Sequence, residues 1–177
     1  MIYPTPVNRI VVQGMTLFSE FNAGASTIKP GYLVMRGSTD DDVLICDGST
    51  HNPTGWAGYE QASPDYKPAN ISTAYNTGDR LPVVSCKGGL VLATLATSQT
   101  IVNGDALACG TSSNAGMVVA ATKMIVTSGS ATASAVSATQ PTVTGSAAIT
   151  GTRVVGYAAQ SVTTTSSTSF ILVRSDL

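Results

Sequence analysis

The pattern that decides the fold is clearest in residues 79–95, which read DRLPVVSCKGGLVLATL. Two apolar runs flank Lys87-Gly88-Gly89, and Gly-Gly between two such runs is a strong signal for a tight turn between strands. Pro82 has no backbone N–H, so its strand is expected at a sheet edge, or Pro82 is expected where the strand starts. The stretch as a whole predicts a β-hairpin.

Short runs of the same kind continue in both directions, bounded by the residues that turns require. Asp47-Gly48 and Asn103-Gly104 are further signals for hairpin turns. The last run is too apolar for an exposed tail, so we expect it inside the sheet. Besides the two runs quoted above, strands are predicted at 32–36, 43–46, 56–62, 105–109, 117–121, 153–160 and 169–174.

The composition favours the same fold class. Only 11% of the residues are charged while 43% are hydrophobic, and the net charge is −1. Small and β-branched residues dominate, and the Lys and Glu that build exposed helix faces are scarce. We therefore predict an all-β chain with a single β-barrel or β-sandwich domain of short strands.

The low charge also bears on partners. A near-neutral chain without clustered Lys and Arg is poorly suited to hold a phosphate backbone, so nucleic acid is not an expected partner. A free monomer normally carries more charge for solubility, so much of this surface is expected to be hidden in an assembly. The alternative is a Thr-rich secreted β protein that its hydroxyl groups keep in solution.

Residues 1–28 are predicted to form an extended N-terminal arm, and residues 29–177 form the body. Pro4 and Pro6 oppose regular structure at the start. The apolar runs that follow either complete the local sheet or reach onto a neighbouring molecule as an added strand. Pairing within the local sheet is favoured for residues 15–21, and pairing with a neighbouring molecule stays open for residues 1–12. The candidate interface residues in the arm are Tyr3, Ile10, Val12, Leu17, Phe18 and Phe21.

Residues 127–151 are an insert within the body, almost wholly Ser, Thr, Ala and Gly and without any charge. A segment of this composition is either a mobile hairpin or a packed contact surface. Around it the sequence echoes itself, because Gly31-Tyr32-Leu33-Val34 and 56–62 (WAGYEQA) return as Gly104-Asp105-Ala106-Leu107 and 154–160 (VVGYAAQ). The echo predicts similar hairpin units, with the insert inside the second one.

The residue types on which most catalytic sites are built are scarce. His51 is the only histidine, and no Gly-x-Ser-x-Gly elbow accompanies it and the nearby Asp47. Three adjacent aspartates, Asp40-Asp41-Asp42, lack the alternate spacing of a calcium loop. We therefore expect no catalytic residue, no metal site and no cofactor, and we do not expect an enzyme.

The remaining distinctive residues have structural explanations. The spacing of Cys46, Cys86 and Cys109 fits neither a disulfide framework nor a zinc site, so they are predicted to be buried thiols of a protein made in a reducing cytosol. Trp56 could stack on a sugar, but before Ala-Gly in a strand it is predicted to be a core residue. No apolar stretch of about 18 residues occurs, so no membrane partner is expected. The first residues also lack the pattern of a secretory signal.

Several short motifs follow one another in an order that occurs in a known group of proteins. The chain resembles the capsid decoration (cement) proteins of tailed bacteriophages and archaeal tailed viruses, over most of residues 29–174. Residues 127–151 have no counterpart in this resemblance. The motifs that carry it are the strand led by Gly31, the run ending in Gly58-Tyr59, Gly78-Asp79-Arg80-Leu81-Pro82-Val83, Gly104-Asp105-Ala106-Leu107 and Val155-Gly156-Tyr157-Ala158.

The resemblance implies a structural role in the virion, on the outer surface of the assembled capsid. Such proteins bind at symmetry axes, often as homotrimers and sometimes as dimers or pentamers, and bridge subunits of the major capsid protein. The implied partners are therefore the major capsid protein and further copies of this chain. Two other classes stay open: a glycan-binding β-sandwich module of a viral fibre or adhesin, and a tail-tube or baseplate component.

Overall fold

The structure is a computed structural model that describes residues 9–25, 27–49, 51–59, 65, 67–122, 125–127, 132–134, 142–144, 148–150 and 152–177. These residues form strands and turns with a single 3-10 turn at Ser112–Asn114, which confirms the all-β class. No helix within these ranges has the length and apolar character needed to cross a membrane. The strands are β1 (Val11–Gln13), β2 (Leu17–Ala23), β3 (Leu33–Arg36), β4 (Asp42–Ile45), β5 (Gly55–Ala57), β6 (Arg80–Ser85), β7 (Leu90–Leu95), β8 (Thr100–Ile101), β9 (Ala106–Cys109), β10 (Val118–Ala120), β11 (Ile125–Thr127), β12 (Thr132–Ser134), β13 (Thr142–Thr144), β14 (Ala148–Thr150), β15 (Val154–Ala158), β16 (Val162–Thr163) and β17 (Ser169–Ser175).

The first half of the chain forms a closed barrel of five strands in the order β2-β4-β3-β5-β6. β3 and β4 form a hairpin across the turn at 37–42. β6 closes the ring because it pairs antiparallel with both β5 and β2. The contact between β2 and β4, where Ala23 faces Val43, is the parallel contact of this ring.

The second half forms a second closed ring in the order β7-β10-β9-β15-β17. β17 pairs with β15 and along the whole of β7, which confirms that the last run lies inside the sheet. The contact between β7 and β10, where Leu95 faces Val118, is the parallel contact of this ring. β1 lies outside the ring and pairs with the first residues of β7.

The two barrels have the same topology. β2, β3, β4, β5 and β6 correspond in that order to β7, β9, β10, β15 and β17, because each pairing in the first ring has a counterpart of the same direction in the second. The register agrees as well, since Leu33 faces Trp56 as Ala106 faces Tyr157. We call the two barrels repeat 1 and repeat 2; the sequence predicted a single barrel or sandwich.

Hydrogen bonds outside the strand ladders repeat too. The N–H of Gly31 donates to the carbonyl of Ala57 at 2.7 Å, and the N–H of Gly104 donates to the carbonyl of Ala158 at 2.8 Å. Both glycines have a positive φ, +81° and +93°, a conformation that other residues rarely adopt. These are the glycines that begin the two echoing segments, so the echo in the sequence predicted the repetition correctly.

The insert lies in repeat 2, as the sequence predicted. It falls between β10 and β15, where repeat 1 has only the connection 46–54 between β4 and β5. Within the described segments, β11 pairs with β14, and β12 pairs with β13. The remainder of 127–151 lies outside the described residues.

Each barrel encloses its own apolar residues, and the two enclosed sets correspond position by position. Further apolar residues connect them, because Leu33, Trp56 and Val84 of repeat 1 belong to one cluster with Leu92 and Leu172 of repeat 2. The repeats therefore pack against each other through a continuous core. The enclosed residues are Ala23, Ile28, Val34, Val43, Ala57, Leu81 and Val83 in repeat 1, and Leu95, Ile101, Leu107, Val118, Ala158, Ile171 and Val173 in repeat 2.

The hairpin predicted for residues 79–95 is wrong as a pairing, although both strands and the turn exist. β6 pairs with β2 and β5, whereas β7 pairs with β1, β10 and β17. The turn at 87–89 therefore leads from repeat 1 into repeat 2. Asp47-Gly48 and Asn103-Gly104 likewise join strands that do not pair with each other, since β5 pairs with β3 and β8 pairs with β16.

Pro82 does not lie on a sheet edge or at the start of its strand. It is the third residue of β6, which is paired on both sides. The pairing between β5 and β6 ends at Val83, so no partner strand needs an N–H from Pro82. The carbonyl of Pro82 still accepts the N–H of Gly58 at 2.7 Å. β5 (Gly55–Ala57) is also shorter than the strand predicted at 56–62.

The described part of the expected arm is integrated into both repeats. β2 is one of the five strands of the repeat 1 barrel, as expected if residues 15–21 complete the local sheet. β1 lies on repeat 2, and the carbonyl of Ile10 accepts the N–H of Leu92 at 2.7 Å. Of the two placements that the sequence left open for the arm, the described residues 9–25 take the local one, and Ile10 buries its side chain in the chain's own core. Residues 1–8 lie outside the described residues.

Candidate interaction surface

Exposed apolar side chains are concentrated at the start of β2. Met15 is 95% exposed, Leu17 is 76% exposed and Phe18 is 36% exposed. In the part of the chain that the structure describes, two further large hydrophobic residues are highly exposed, Val102 and Tyr157, and both belong to repeat 2. Leu17 and Phe18 are successive residues of a strand and point to opposite faces, so exposed apolar groups lie on both sides of β2, which makes this stretch a candidate for contact with another molecule.

The same stretch of β2 has an open hydrogen-bonding edge. β6 covers one edge from Leu17 onward, but β4 reaches only the last residues of β2 on the other edge. There the N–H of Asn22 donates to the carbonyl of Asp41 at 2.7 Å. Backbone groups alternate in direction along a strand, so Phe18 and Glu20 point their N–H and C=O groups to the same side as Asn22. In the described part of the chain, no strand pairs with them.

The candidate interface residues that the sequence named fall into three groups. Leu17 and Phe18 lie in the exposed stretch. Val12 and Phe21 are half-buried, and the guanidinium of Arg36 lies 4.8 Å from the centre of the Phe21 ring. Ile10 is fully buried in the chain's own core, so its side chain offers no surface to a partner. Tyr3 lies outside the described residues.

Two features of this surface were missed at the level of the sequence. Met15 stands in the same apolar run as Leu17 and is the most exposed of the large hydrophobic residues. Glu20 contributes through its backbone, and a charged side chain gives no signal for that. The open edge itself depends on how far β4 extends along β2, which only the fold determines.

A shallow groove of about 430 Å³ lies at the free end of repeat 2, lined by Asn103, Tyr157 and Arg174 among others. Tyr157 is 47% exposed and pairs with Arg174 across the sheet. Its counterpart in repeat 1 is Trp56, which pairs with Val84 and is fully buried. The difference arises because repeat 2 covers this face of repeat 1, whereas the same face of repeat 2 has no third repeat against it.

Trp56 is a core residue, as the sequence predicted. Its indole Nε1–H donates to the hydroxyl of Ser175 at 2.9 Å inside the structure. A buried indole cannot stack on a sugar. Tyr157 is therefore the aromatic side chain that a carbohydrate could reach in this part of the fold.

The three cysteines are free and buried, which confirms the prediction of buried thiols. Cys46 of repeat 1 and Cys109 of repeat 2 are in contact, and the Cys109 thiol donates to the Cys46 carbonyl at 3.2 Å. A side-chain hydrogen bond between the Cys46 and Cys109 thiols, together with burial, raises the pKa of the Cys46 thiol, so that thiol stays protonated at neutral pH. A protonated, buried thiol is a poor nucleophile.

The acidic side chains do not form a site that would bind a metal ion among the described residues. The pKa of Asp47 is lowered by hydrogen bonds from Ser49, as is usual for a carboxylate in a tight turn. Among the described residues, no three His, Cys, Asp or Glu side chains lie close enough together to hold a metal ion.

The fold and this surface define a class of protein: an all-β chain of two equivalent barrels with an exposed apolar stretch along one strand. No protein-family model and no curated protein matches the chain. Among solved structures it is similar to the N base of the head fiber gp8.5 of bacteriophage phi29, with 15% sequence identity, 92% of this chain and 98% of that chain covered, and a TM-score of 0.41.

Proposed function

We propose that this protein is a structural component of the virion of a tailed virus. In this role it binds the outside of the assembled capsid and stabilises it by bridging subunits of the major capsid protein. The observation that carries the proposal is the exposed apolar stretch of β2 on a body of two packed barrels. A bridging protein needs a folded scaffold and exposed apolar surface that its partners can cover.

Composition supports the same role. A charge content of 11% leaves a surface of small and hydroxyl-bearing residues, which suits a protein that is partly covered by neighbours. Self-association belongs to the proposal, with a homotrimer as the first expectation and a dimer or pentamer as alternatives. Many weak contacts made together give lasting attachment, because each bound contact holds the others at high local concentration.

The copy number of the protein in purified virus particles tests this proposal. Quantitative mass spectrometry should give a ratio to the major capsid protein that is one-to-one or a simple fraction set by icosahedral symmetry. A handful of copies per particle would instead indicate a component of the tail, baseplate or fibre. Absence from the particle would overturn the proposal.

A substitution pair tests whether the β2 stretch makes the contact with the capsid. Leu17→Asp places a charge among exposed apolar groups, so we expect the protein to bind particles at least about tenfold more weakly, since burying an unpaired charge is costly. Val102→Asp is the matched control, because Val102 is an exposed apolar residue, 57% accessible, in repeat 2. Equal binding of the two variants in a sedimentation assay would exclude the β2 stretch as the capsid contact.

A glycan-binding role is the second candidate, and the groove at Tyr157 is the observation that favours it. An exposed tyrosine ring beside an amide and a guanidinium is a combination that binds sugars. A glycan array should then show saturable binding that Tyr157→Ala abolishes and Val102→Ala leaves intact. Absence of binding across the array would remove this candidate.

A further inference from the structure

We propose that the open edge of β2 pairs with β2 of a second copy of this chain, so that two copies join antiparallel into one continuous sheet. The inference deepens the proposed function, since it rests on the self-association included there. It also selects a two-fold dimer from the oligomers considered above, because a strand that pairs antiparallel with its own copy creates a two-fold axis.

In repeat 2, β7 is the strand equivalent to β2, and β1 pairs with its corresponding edge. Leu92 is the counterpart of Glu20, because Leu92 faces Leu172 of the closing strand as Glu20 faces Pro82. The N–H of Leu92 donates to the carbonyl of Ile10 in β1. In repeat 1, the described residues provide no such strand beside Glu20. Among the described residues, the chain covers this kind of edge with an antiparallel strand of its own in repeat 2, and no described strand covers it in repeat 1.

The limits of the open stretch fix the register of the pair. β4 covers the edge from Asn22 onward, and at the other end Gly14, with φ of +117°, turns the chain away towards β1. Between these limits the backbone groups of Phe18 and Glu20, both in β2, point outward, and Thr16 immediately precedes the strand. The centre of the open stretch is therefore Phe18.

A pair centred on Phe18 uses every outward group. The Phe18 residues of the two copies face each other, and Thr16 of each copy faces Glu20 of the other. Two facing phenylalanines form a favourable cross-strand pair. A register centred on Glu20 would place two carboxylates opposite each other, which is unfavourable. The exposed side chains of Met15 and Leu17 lie along the same stretch and become partly covered in the dimer.

Disulfide trapping tests the register directly. Residues directly opposite in an antiparallel pair have Cα atoms about 4.5–5.5 Å apart, within the range that a disulfide spans. Under mild oxidation Phe18→Cys should give a covalent species of twice the 18.0 kDa chain mass. Leu17→Cys is the matched control: in this register Leu17 faces Ser19, so crosslinking should be at least about tenfold slower. The native cysteines are buried and do not compete.

A proline variant tests the edge without relying on a new thiol. The N–H of Glu20 points away from β6, so Glu20→Pro removes a hydrogen bond of the dimer and leaves the ladder to β6 intact. We expect Glu20→Pro to sediment as a monomer with the circular dichroism spectrum of the wild-type chain, whereas Glu20→Ala sediments as a dimer. If both variants dimerise equally, the edge is not the interface.

Three results would overturn the inference: a full-length chain that stays monomeric across a concentration series, a trimer or pentamer in that series, or no disulfide in Phe18→Cys. These measurements use the purified chain without virus particles. A chain that is monomeric in solution but present in particles at a simple ratio would therefore overturn this inference and leave the proposed function standing.

Discussion

At the scale of single residues, the side chain of Trp56 joins the two repeats. It belongs to β5 of repeat 1, and its hydrogen bond goes to Ser175, the last residue of β17 in repeat 2. Ser175 also accepts the N–H of Leu177 at 3.2 Å, so one hydroxyl oxygen serves both groups. The bond is buried, and neither group can exchange its partner for water.

Ser175→Ala should therefore destabilise the protein by about 1–3 kcal/mol, because it leaves the buried indole N–H without an acceptor. Denaturant unfolding followed by tryptophan fluorescence measures the change. Ser169→Ala, at the exposed start of the same strand, is the control and should stay within about 0.5 kcal/mol of the wild type. Equal stability of the two variants would show that the bond contributes nothing.

At the scale of elements, β1 has a structural role in repeat 2. It covers the first half of β7, and Ile10 just before it is fully buried. Removal of the segment up to residue 13 would therefore uncover the first residues of β7 and take Ile10 out of the core.

Ile10→Ala should cost about 2–5 kcal/mol, the range for truncating a large aliphatic side chain in a core. Met15→Ala is the control and should cost less than about 0.5 kcal/mol, because its side chain is almost wholly exposed. Thermal and denaturant unfolding of both variants gives the comparison. If Ile10→Ala is as stable as the wild type, residues 9–13 do not stabilise the body, and the interpretation of this segment as a free arm is favoured.

The elements also show how far the sequence could predict this fold. Strands β3, β4, β6, β7, β10, β15 and β17 stand out as apolar runs between turn residues, so their existence could be predicted. Their partners could not. The runs of β6 and β7 are adjacent and alike, but β6 pairs with β2, and pairing across such distances leaves no local signal.

The candidate surface shows the same division. Leu17 and Phe18 could be named from their apolar run, but Ile10, from a similar run, is buried in the core. Whether an apolar side chain faces solvent depends on which strand covers it. The open edge of β2 became visible only when repeat 1 could be compared with repeat 2.

At the scale of the whole molecule, the echo between two short segments carried more information than any motif. Gly31 and Gly104 begin equivalent strands, and the fold places them in equivalent turns. The sequence could not show that the echo extends to a complete second barrel, because the insert and loops of unequal length obscure the alignment of the other strands.

The two free faces of this tandem pair differ from the faces that are packed together, and the difference limits growth. Arg174 in repeat 2 occupies the position equivalent to the buried Val84 of repeat 1. Glu20 in repeat 1 occupies the position equivalent to the buried Leu92 of repeat 2. Charges at these places act as end caps, as terminal repeats do in repeat proteins. A head-to-tail contact does not close on itself, so without the caps it would generate open filaments.

We expect Glu20→Leu combined with Arg174→Val to polymerise into fibres visible by electron microscopy, and Arg174→Lys alone to remain of fixed size.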